Sequence, residues 1–170
     1  TCVHADKVMA ASFPDRMSHE GESAIEKMFA AQRYGQKNGK GFYVWEPQKK
    51  GPPKKTVDPL AEELLKAHAT ATPEVSDAQI VERMMLPMLL ECSRCLEDGI
   101  VASPTEVDIA LVYGLGFPPF RGGPFRYADA VGLQALCEKA GKFAALGKLY
   151  EPTARMRQLA EAGATYHKAR

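Results

Sequence analysis

The sequence is poor in cysteine and nearly free of net charge, and both shortages exclude classes of protein. Its few cysteines are too widely spaced for a disulfide scaffold: Cys2, Cys92, Cys95 and Cys137. The formal net charge is +1, so no global field attracts nucleic acid or an anionic membrane. We therefore expect reduced thiols, a cytoplasmic location and no nucleic-acid partner.

Long apolar runs are also missing. No run approaches the roughly 20 residues of a membrane span, and the N-terminal residues lack the charged-then-apolar layout of a signal peptide. We therefore expect no membrane span. The 170 residues, 45% hydrophobic and 25% charged, can form one globular domain or two small ones. The chain begins with Thr1 instead of Met, which favours a fragment or a processed product.

Most of the chain carries the three-to-four spacing of apolar residues that predicts helices. Besides two helices described below, the pattern predicts helices over residues 2–12, 22–34, 59–70, 123–130, 132–146 and 152–162. The best strand candidate is the β-prone run 42–45, which follows a turn cluster of Gly and Asn. The basic, Pro-rich stretch 47–59 predicts an extended, solvated linker.

The longest predicted helix begins just after a capping-box pattern formed by Ser76 and Gln79, and Gly99 marks its end. Apolar residues lie on more than one side of it, so we expect it to be central and buried on most sides. Pro87 lies inside this helix. It removes one backbone donor and crowds the carbonyl of Arg83, which predicts a kink.

A second helix is predicted from Ser103, its N-cap, to Gly114, with Pro104 in the first turn and Glu106 three residues after the cap. Residues 114–129 follow as Gly-Leu-Gly-Phe-Pro-Pro-Phe-Arg-Gly-Gly-Pro-Phe-Arg-Tyr-Ala-Asp. Because Pro fixes its own backbone and Gly allows turns closed to other residues, this stretch predicts a rigid, sharply turning, apolar corner between helices.

These pieces occur in the order seen in one protein family. Residues 81–88, residues 103–110, the Gly/Pro corner and residues 129–133 resemble the C-terminal helical domain of 3-hydroxyacyl-CoA dehydrogenases. The form Phe-Pro-Pro-Phe-Arg-Gly-Gly is most similar to the second copy of that domain in multifunctional fatty-acid β-oxidation enzymes. Residues 33–44 resemble the segment that closes a preceding copy.

The resemblance implies an all-α fold, the 3-hydroxyacyl-CoA dehydrogenase C-terminal-like helical domain. Residues 1–45 would be the truncated tail of a first copy, residues 46–75 a linker with a short helix, and residues 76–170 a second, nearly complete copy. The implied role is structural, in which the second copy packs against the first and helps to seat partner subunits. We expect the chain alone to be inactive.

The resemblance also implies a parent enzyme that hydrates 2-enoyl-CoA and oxidises 3-hydroxyacyl-CoA with NAD. The hydratase and Rossmann domains would be missing here, since Gly114-x-Gly116 follows a helix and precedes prolines instead of opening a strand-to-helix turn. The implied partners are those two domains, a 3-ketoacyl-CoA thiolase subunit and the acyl-CoA substrate of the parent. We expect no cofactor in this chain.

One catalytic position of the family can be carried over. The family pattern Val-Asn-Arg-x-Leu-x-Pro has an Asn that contacts the substrate near the reacting carbonyl. Residues 81–87 read Val-Glu-Arg-Met-Met-Leu-Pro, so Glu82 occupies the Asn position. An ionised carboxylate accepts hydrogen bonds but cannot donate them, and it would repel a developing alkoxide. We therefore assign no catalytic residue and expect Glu82 to be ion-paired or solvated.

The other reactive residue types favour structural roles. Cys92 and Cys95 lie deep in a predicted helix without a second pair of ligands, which indicates core packing in place of a redox or metal site. The histidines are scattered, with no spacing that builds a catalytic dyad: His4, His19, His68 and His167. We predict no metal site.

Four charged residues lie in or near the Gly/Pro corner. Asp108 and Asp129 match acidic positions of the family, and capping or pairing with arginine explains them without chemistry. Arg121 and Arg126 could meet a CoA phosphate, although a salt bridge at the rim is the alternative that we favour.

A second class of function stays open: a free-standing helical interaction domain without enzymatic context. The chain starts at Thr1, which lies inside a helix of the family pattern, and this counts against a free-standing domain. That start would also uncover the apolar side chains Val3, Val8, Met9 and Phe13. We expect either a disordered N-terminal segment or self-association through an apolar patch.

Overall fold

The computed structural model describes residues 1–67 and 74–168, so that His68 lies outside the described part. The chain divides into two compact units, Thr1–Glu74 and Val75–Arg170. Within the described ranges, α-helices dominate and one small two-stranded sheet accompanies them, which confirms the predicted helical fold class. None of the helices in these ranges is both long and apolar enough to cross a membrane.

The described residues of the first unit form three α-helices and the sheet. Its elements are α1 (Cys2–Ser12), α2 (Ala24–Ala30), β1 (Tyr43–Glu46), β2 (Lys54–Val57) and α3 (Pro59–Lys66). Helix α1 has no fully buried side chain. Val8, Met9 and Phe13 are exposed as expected, whereas Val3 is partly buried. The consequence, disorder or self-association, stays a prediction.

Helix α2 ends four residues before its predicted boundary at 34. Gln32 adopts a left-handed conformation with a φ of 55°, and the N–H of Arg33 donates to the carbonyl of Met28 at 2.8 Å. This six-to-one hydrogen bond closes a Schellman turn, which terminates a helix when the residue after its cap is left-handed. Glycine usually occupies such a position. Because Gln32 stands there instead, the sequence pattern did not indicate the end of α2.

Strand β2 corrects the predicted linker. Residues 54–57 pair antiparallel with β1, with Glu46 opposite Lys54 and Tyr43 opposite Val57. The N–H and C=O groups of β1 would lack strand partners without this neighbour. The ammonium of Lys55 also lies 3.8 Å from the centre of the Tyr43 ring. A basic segment thus forms a strand because its backbone and its cations both find partners in β1.

A buried ion pair joins the parts of the first unit. The guanidinium of Arg33 donates to the carboxylate of Asp58 and, at 3.0 Å, to the carbonyl of Gly41. Asp58 is the N-cap of α3 and accepts the N–H of Leu60 at 3.1 Å. The hydrogen bond from Arg33 is the main reason why the pKa of Asp58 is lowered. One carboxylate therefore caps α3 and anchors the segment after α2.

The described residues of the second unit form five α-helices, and short 3-10 turns lie in two of the connections between them. The helices are α4 (Asp77–Glu97), α5 (Pro104–Leu115), α6 (Pro124–Val131), α7 (Leu133–Lys142) and α8 (Ala154–Glu161). Ser76 and Gln79 form the predicted capping box, and the Ser103 hydroxyl accepts the N–H of Glu106. The starts of both well-marked helices are thus confirmed.

Burial along α4 is uneven, which corrects the prediction of a helix buried on most sides. Its buried residues lie from position 86 onward: Leu86, Leu89, Leu90, Cys92 and Ser93. Ile80, Val81 and Met84 in the first two turns are exposed. At about 1.5 Å per residue, α4 is roughly 32 Å long, whereas the eight to ten residues of α6, α7 and α8 reach only roughly 12–15 Å. Such short helices cover only part of it.

Candidate functional site

The Gly/Pro corner between α5 and α6 is built around the carboxylate of Asp108, which is only 4% exposed. Its Oδ1 accepts the N–H of Phe125 at 2.7 Å, in the first turn of α6. Its Oδ2 lies 2.7 Å from Nε2 of His167. Gly123 packs closely against the Asp108 side chain. A Cβ added at Gly123 would lie only 2.3 Å from the Asp108 Cβ. Of the two roles expected for Asp108, capping or pairing with arginine, the structure shows a hydrogen bond to the first turn of α6, and a histidine in place of an arginine.

Asp129 holds the C-terminal segment in a similar way. Its two oxygens accept the N–H groups of Tyr166 and His167 at 2.8 and 3.0 Å. The Tyr166 hydroxyl makes a short hydrogen bond with Ser93 on α4, and its ring centre lies 4.2 Å from that of Phe125. Burial raises the pKa of Tyr166 to about 12, which keeps this phenol neutral. Both carboxylates are thus occupied in holding backbone N–H groups.

No local sequence pattern indicated the structural role of His167. It lies 59 residues from Asp108, in a segment without apolar periodicity. The structure places it beside Asp108, and among the described residues no serine or threonine hydroxyl and no cysteine thiol is bonded to its ring. The His–Asp pair therefore stabilises the corner, and we assign no nucleophile to it.

Glu82 lies on the first half of α4 and pairs with Lys139 of α7, with 2.9 Å between Oε1 and Nζ. This hydrogen bond is the main reason why the pKa of Lys139 is raised, so Lys139 stays charged at neutral pH. The ion pair expected at Glu82 is therefore present. A carboxylate held by an ammonium presents acceptor oxygens to solvent and no N–H donor.

Gly114 and Gly116, the first glycines of the corner, do not fit a dinucleotide. Gly116 has a φ of 72° and caps the C-terminal end of α5, so that carbonyl groups and the negative end of the helix dipole face it. A pyrophosphate needs the opposite, backbone N–H groups at the start of a helix. Pro118 and Pro119, which follow, have no N–H to offer. Residues 114–119 therefore do not build a site for NAD.

Cys92 packs in the core as predicted, and Cys95 is partly buried. Burial raises the pKa of Cys92 to about 12, so its thiol stays protonated and is a poor nucleophile and metal ligand. Both cysteines are free.

One group of metal-ligand residue types comes together in the described ranges. Asp6, His19 and Glu26 offer atoms within 4.8 Å of one another. Each already has a partner: His19 lies 3.1 Å from Asp6, and Glu26 accepts the N–H of Ser23 at 3.0 Å and pairs with Lys7. The group is explained as an ion-pair cluster that links α1 to α2.

An exposed apolar face lies on α5 and the corner that follows. We use the name α5 face for Ile109, Tyr113, Leu115 and Phe120. Tyr113 is 87% exposed and Phe120 is 83% exposed. Arg121, for which we predicted a salt bridge, instead places its guanidinium 5.3 Å from the Phe120 ring centre and 5.5 Å from that of Tyr127. Ile109 and Tyr113 lie one turn apart on the same side of α5, and neighbouring exposed apolar side chains of this kind are typical of a binding face.

The sequence profile of "3-hydroxyacyl-CoA dehydrogenase, C-terminal domain" matches residues 80–170. The fatty acid oxidation complex subunit alpha of Pseudomonas paraeruginosa PA7 is 52% identical over 160 residues, which are 94% of this chain and 22% of that protein. Its counterpart in Pseudomonas syringae pv. tomato DC3000 is 50% identical over 163 residues, 96% of this chain and 23% of that protein.

A solved structure agrees on the fold. The dehydrogenase part of multifunctional enzyme 1 from C. elegans has a TM-score of 0.57 and 24% identity, covering 89% of this chain and 35% of that one. The chain thus spans less than a quarter of the curated relatives that it matches and about a third of this neighbour. The resemblance stated from the sequence is confirmed: the chain belongs to the family of 3-hydroxyacyl-CoA dehydrogenase C-terminal domains.

Proposed function

We propose that this chain is the C-terminal helical module of a multifunctional β-oxidation enzyme, with a structural and subunit-packing role and no activity of its own. The parent would hydrate 2-enoyl-CoA and oxidise 3-hydroxyacyl-CoA by hydride transfer to NAD. Its hydratase and Rossmann domains would carry that chemistry. Residues 1–45 would be the tail of a first helical copy, residues 46–75 the connection, and residues 76–170 the second copy.

The pairing of Glu82 with Lys139 carries the proposal. The family's Asn can donate its amide N–H to a substrate carbonyl as negative charge develops there. Here Glu82 fills that position and its carboxylate is engaged by an ammonium at 2.9 Å. An acceptor-only group would raise the energy of an oxyanion instead of lowering it. This arrangement supports a copy kept for packing.

The exposure of the α5 face is a second observation that supports the packing role. Tyr113 and Phe120 extend into solvent, although each large apolar side chain would gain ~1.5–3 kcal/mol on full burial. Such a surface suits another helical copy of the same family as its occupant. It would equally permit self-association when that copy is not supplied. A 3-ketoacyl-CoA thiolase is the further partner that we propose for the assembled parent.

A chimera tests this role. The matching 160-residue segment of the Pseudomonas paraeruginosa subunit is replaced by this chain. Oxidation of 3-hydroxybutyryl-CoA and co-purification of the thiolase are then measured. We expect an active, assembled chimera. The double substitution Tyr113→Asp and Phe120→Asp should lower assembly and activity together, while Glu82→Gln should leave both within about twofold of the unsubstituted chimera.

The opposite pattern would refute the packing role. If Glu82→Gln abolished oxidation while assembly stayed intact, the second copy would take part in the chemistry. If the two aspartate substitutions changed nothing, the α5 face would not be the surface on which the module packs. The substitution Lys142→Asp, on the C-terminal end of α7, serves as the surface-charge control.

A further inference from the structure

The first unit contains a groove of about 670 Å³. This volume lies within the ~300–1,000 Å³ range of small-molecule sites. Met28, which is buried, belongs to its lining. The groove lies between the start of α1, helix α2 and the hairpin, and Lys55 of β2 belongs to its lining.

The lining is mainly aromatic and aliphatic. Phe29 and Phe42 are each about half exposed, and the ring of Phe29 lies 5.4 Å from that of Tyr34, centre to centre. The single tryptophan of the chain, Trp45, also lines the groove. An occupant would therefore bury apolar surface along this wall and change the environment of a unique fluorophore.

The charges of the lining all have one sign. Arg33, Lys37 and Lys55 line the groove, and no aspartate or glutamate does. Arg33 is already engaged by Asp58. Lys37 and Lys55 make no ion pair with a carboxylate in the described part of the chain, and Lys55 lies over Tyr43. Two cations beside an apolar wall attract an anion that carries an apolar body.

We propose that this groove binds a medium-chain fatty acid such as laurate as its carboxylate, with the alkyl chain along Phe29, Phe42 and Trp45 and the head group at Lys37 and Lys55. A cationic amphiphile is disfavoured, because Lys55 already covers the Tyr43 ring on which a quaternary ammonium would stack. A segment of a longer polypeptide is the competing occupant. The inference does not depend on the packing role proposed above.

Trp45 emission measures binding directly. The whole chain is titrated with sodium laurate, sodium octanoate and dodecyltrimethylammonium, each below its micelle-forming concentration. Each buried methylene can tighten binding up to about fourfold. We therefore expect laurate to bind saturably and at least about tenfold more tightly than octanoate. Because the lining is cationic, the alkylammonium should bind at least about tenfold more weakly than laurate.

Matched lysine variants test the head-group position. Lys55→Gln and Lys37→Gln should each weaken laurate binding by about threefold or more without weakening the binding of the alkylammonium. Lys49→Gln removes the same charge from the segment between the strands, outside the lining, and should change laurate binding by less than about twofold. Lys37 lies in a turn away from the hairpin pairing, so it tests the charge even if Lys55→Gln loosens β2.

Several outcomes would overturn the inference. Unsaturable or absent laurate binding by a folded chain would mean that the groove is a surface for another polypeptide. Equal affinity for laurate and the alkylammonium would mean simple partitioning of detergent. Equal effects of Lys49→Gln and both lining variants would mean a diffuse charge effect. Circular dichroism confirms in each case that the variant is folded.

Discussion

The hydroxyl of Tyr150 donates a hydrogen bond to the backbone carbonyl of Arg83, with 3.0 Å between the two oxygens. Pro87 explains why that carbonyl needs a donor, since proline has no N–H to donate to the residue four positions earlier. Tyr150 is 8% exposed and packs its ring 5.5 Å from that of Phe143, centre to centre. A turn 67 residues further along the chain thus supplies the bond that α4 loses.

Removing this hydroxyl should destabilise the second unit. Tyr150→Phe leaves the Arg83 carbonyl without its partner, and we expect a loss of about 1–2 kcal/mol in the free energy of unfolding. Urea denaturation followed by far-UV circular dichroism measures it. Tyr113→Phe is the matched control, because Tyr113 is 87% exposed and should change stability by less than about 0.5 kcal/mol.

A double-mutant cycle tests the role of Pro87 in the same relationship. Pro87→Ala returns an N–H to the helix, and the alanine amide can donate to the Arg83 carbonyl. We expect the loss caused by Tyr150→Phe to shrink by at least about 0.5 kcal/mol in that background. Strict additivity of the two changes would show that Tyr150 does not replace the missing backbone donor.

The corner should be intolerant of a side chain at Gly123. This glycine has a φ of +113°, and a Cβ there would lie 2.5 Å from Oδ1 of Asp108. We expect Gly123→Ala to cost at least about 2 kcal/mol, from backbone strain and from the displaced carboxylate. Gly116→Ala is the control, since its φ is +72° but its Cβ would meet nothing within 4 Å. That change should cost only about 1–2 kcal/mol.

The Arg33–Asp58 pair predicts a pH dependence for the first unit. The pKa of Asp58 is lowered in the folded state, so its contribution is full above the unfolded pKa of about 3.9 and is lost as the pH falls through the folded pKa. Trp45 emission during acid titration measures this loss. Asp58→Asn should destabilise the unit at neutral pH and make its stability depend less on pH in the acid range. Asp15→Asn, at an exposed site, should leave the curve unchanged.

The cysteines should differ sharply in reactivity. Cys2 is exposed, whereas Cys92 is buried and has a pKa of about 12. Near pH 8, only about one Cys92 side chain in ten thousand would be a thiolate. We expect Ellman's reagent to modify Cys2 rapidly and Cys92 only after unfolding, as followed by mass spectrometry of peptides. Rapid modification of Cys92 in the folded chain would contradict its placement in the core.

Features with a local signal could be predicted from the sequence. The capping box of α4, the Ser103 N-cap of α5 and Pro104 in the first turn of α5 act within a few residues of themselves. Their positions in the structure match the pattern closely. The family resemblance rested on the same kind of local motif, and it is confirmed.

Features that depend on distant partners could not be predicted. Lys139 reaches Glu82 and His167 reaches Asp108 only after the chain has folded back on itself. Strand β2 lacks apolar alternation, and its pairing depends on Tyr43 and the unpaired edge of β1. The exposed first turns of α4 follow from the short length of its neighbours. No single helix pattern encodes such a length relationship.

The most direct test of the central claim is calorimetric titration of the chain with NADH and, separately, with acetoacetyl-CoA. The packing role predicts no heat of binding for NADH and no acetoacetyl-CoA binding that depends on Glu82. Saturable binding of NADH would contradict the account, because residues 114–119 offer no N–H cradle for a pyrophosphate. Acetoacetyl-CoA binding that Glu82→Gln abolishes would contradict it equally, by placing substrate at the Glu82–Lys139 pair.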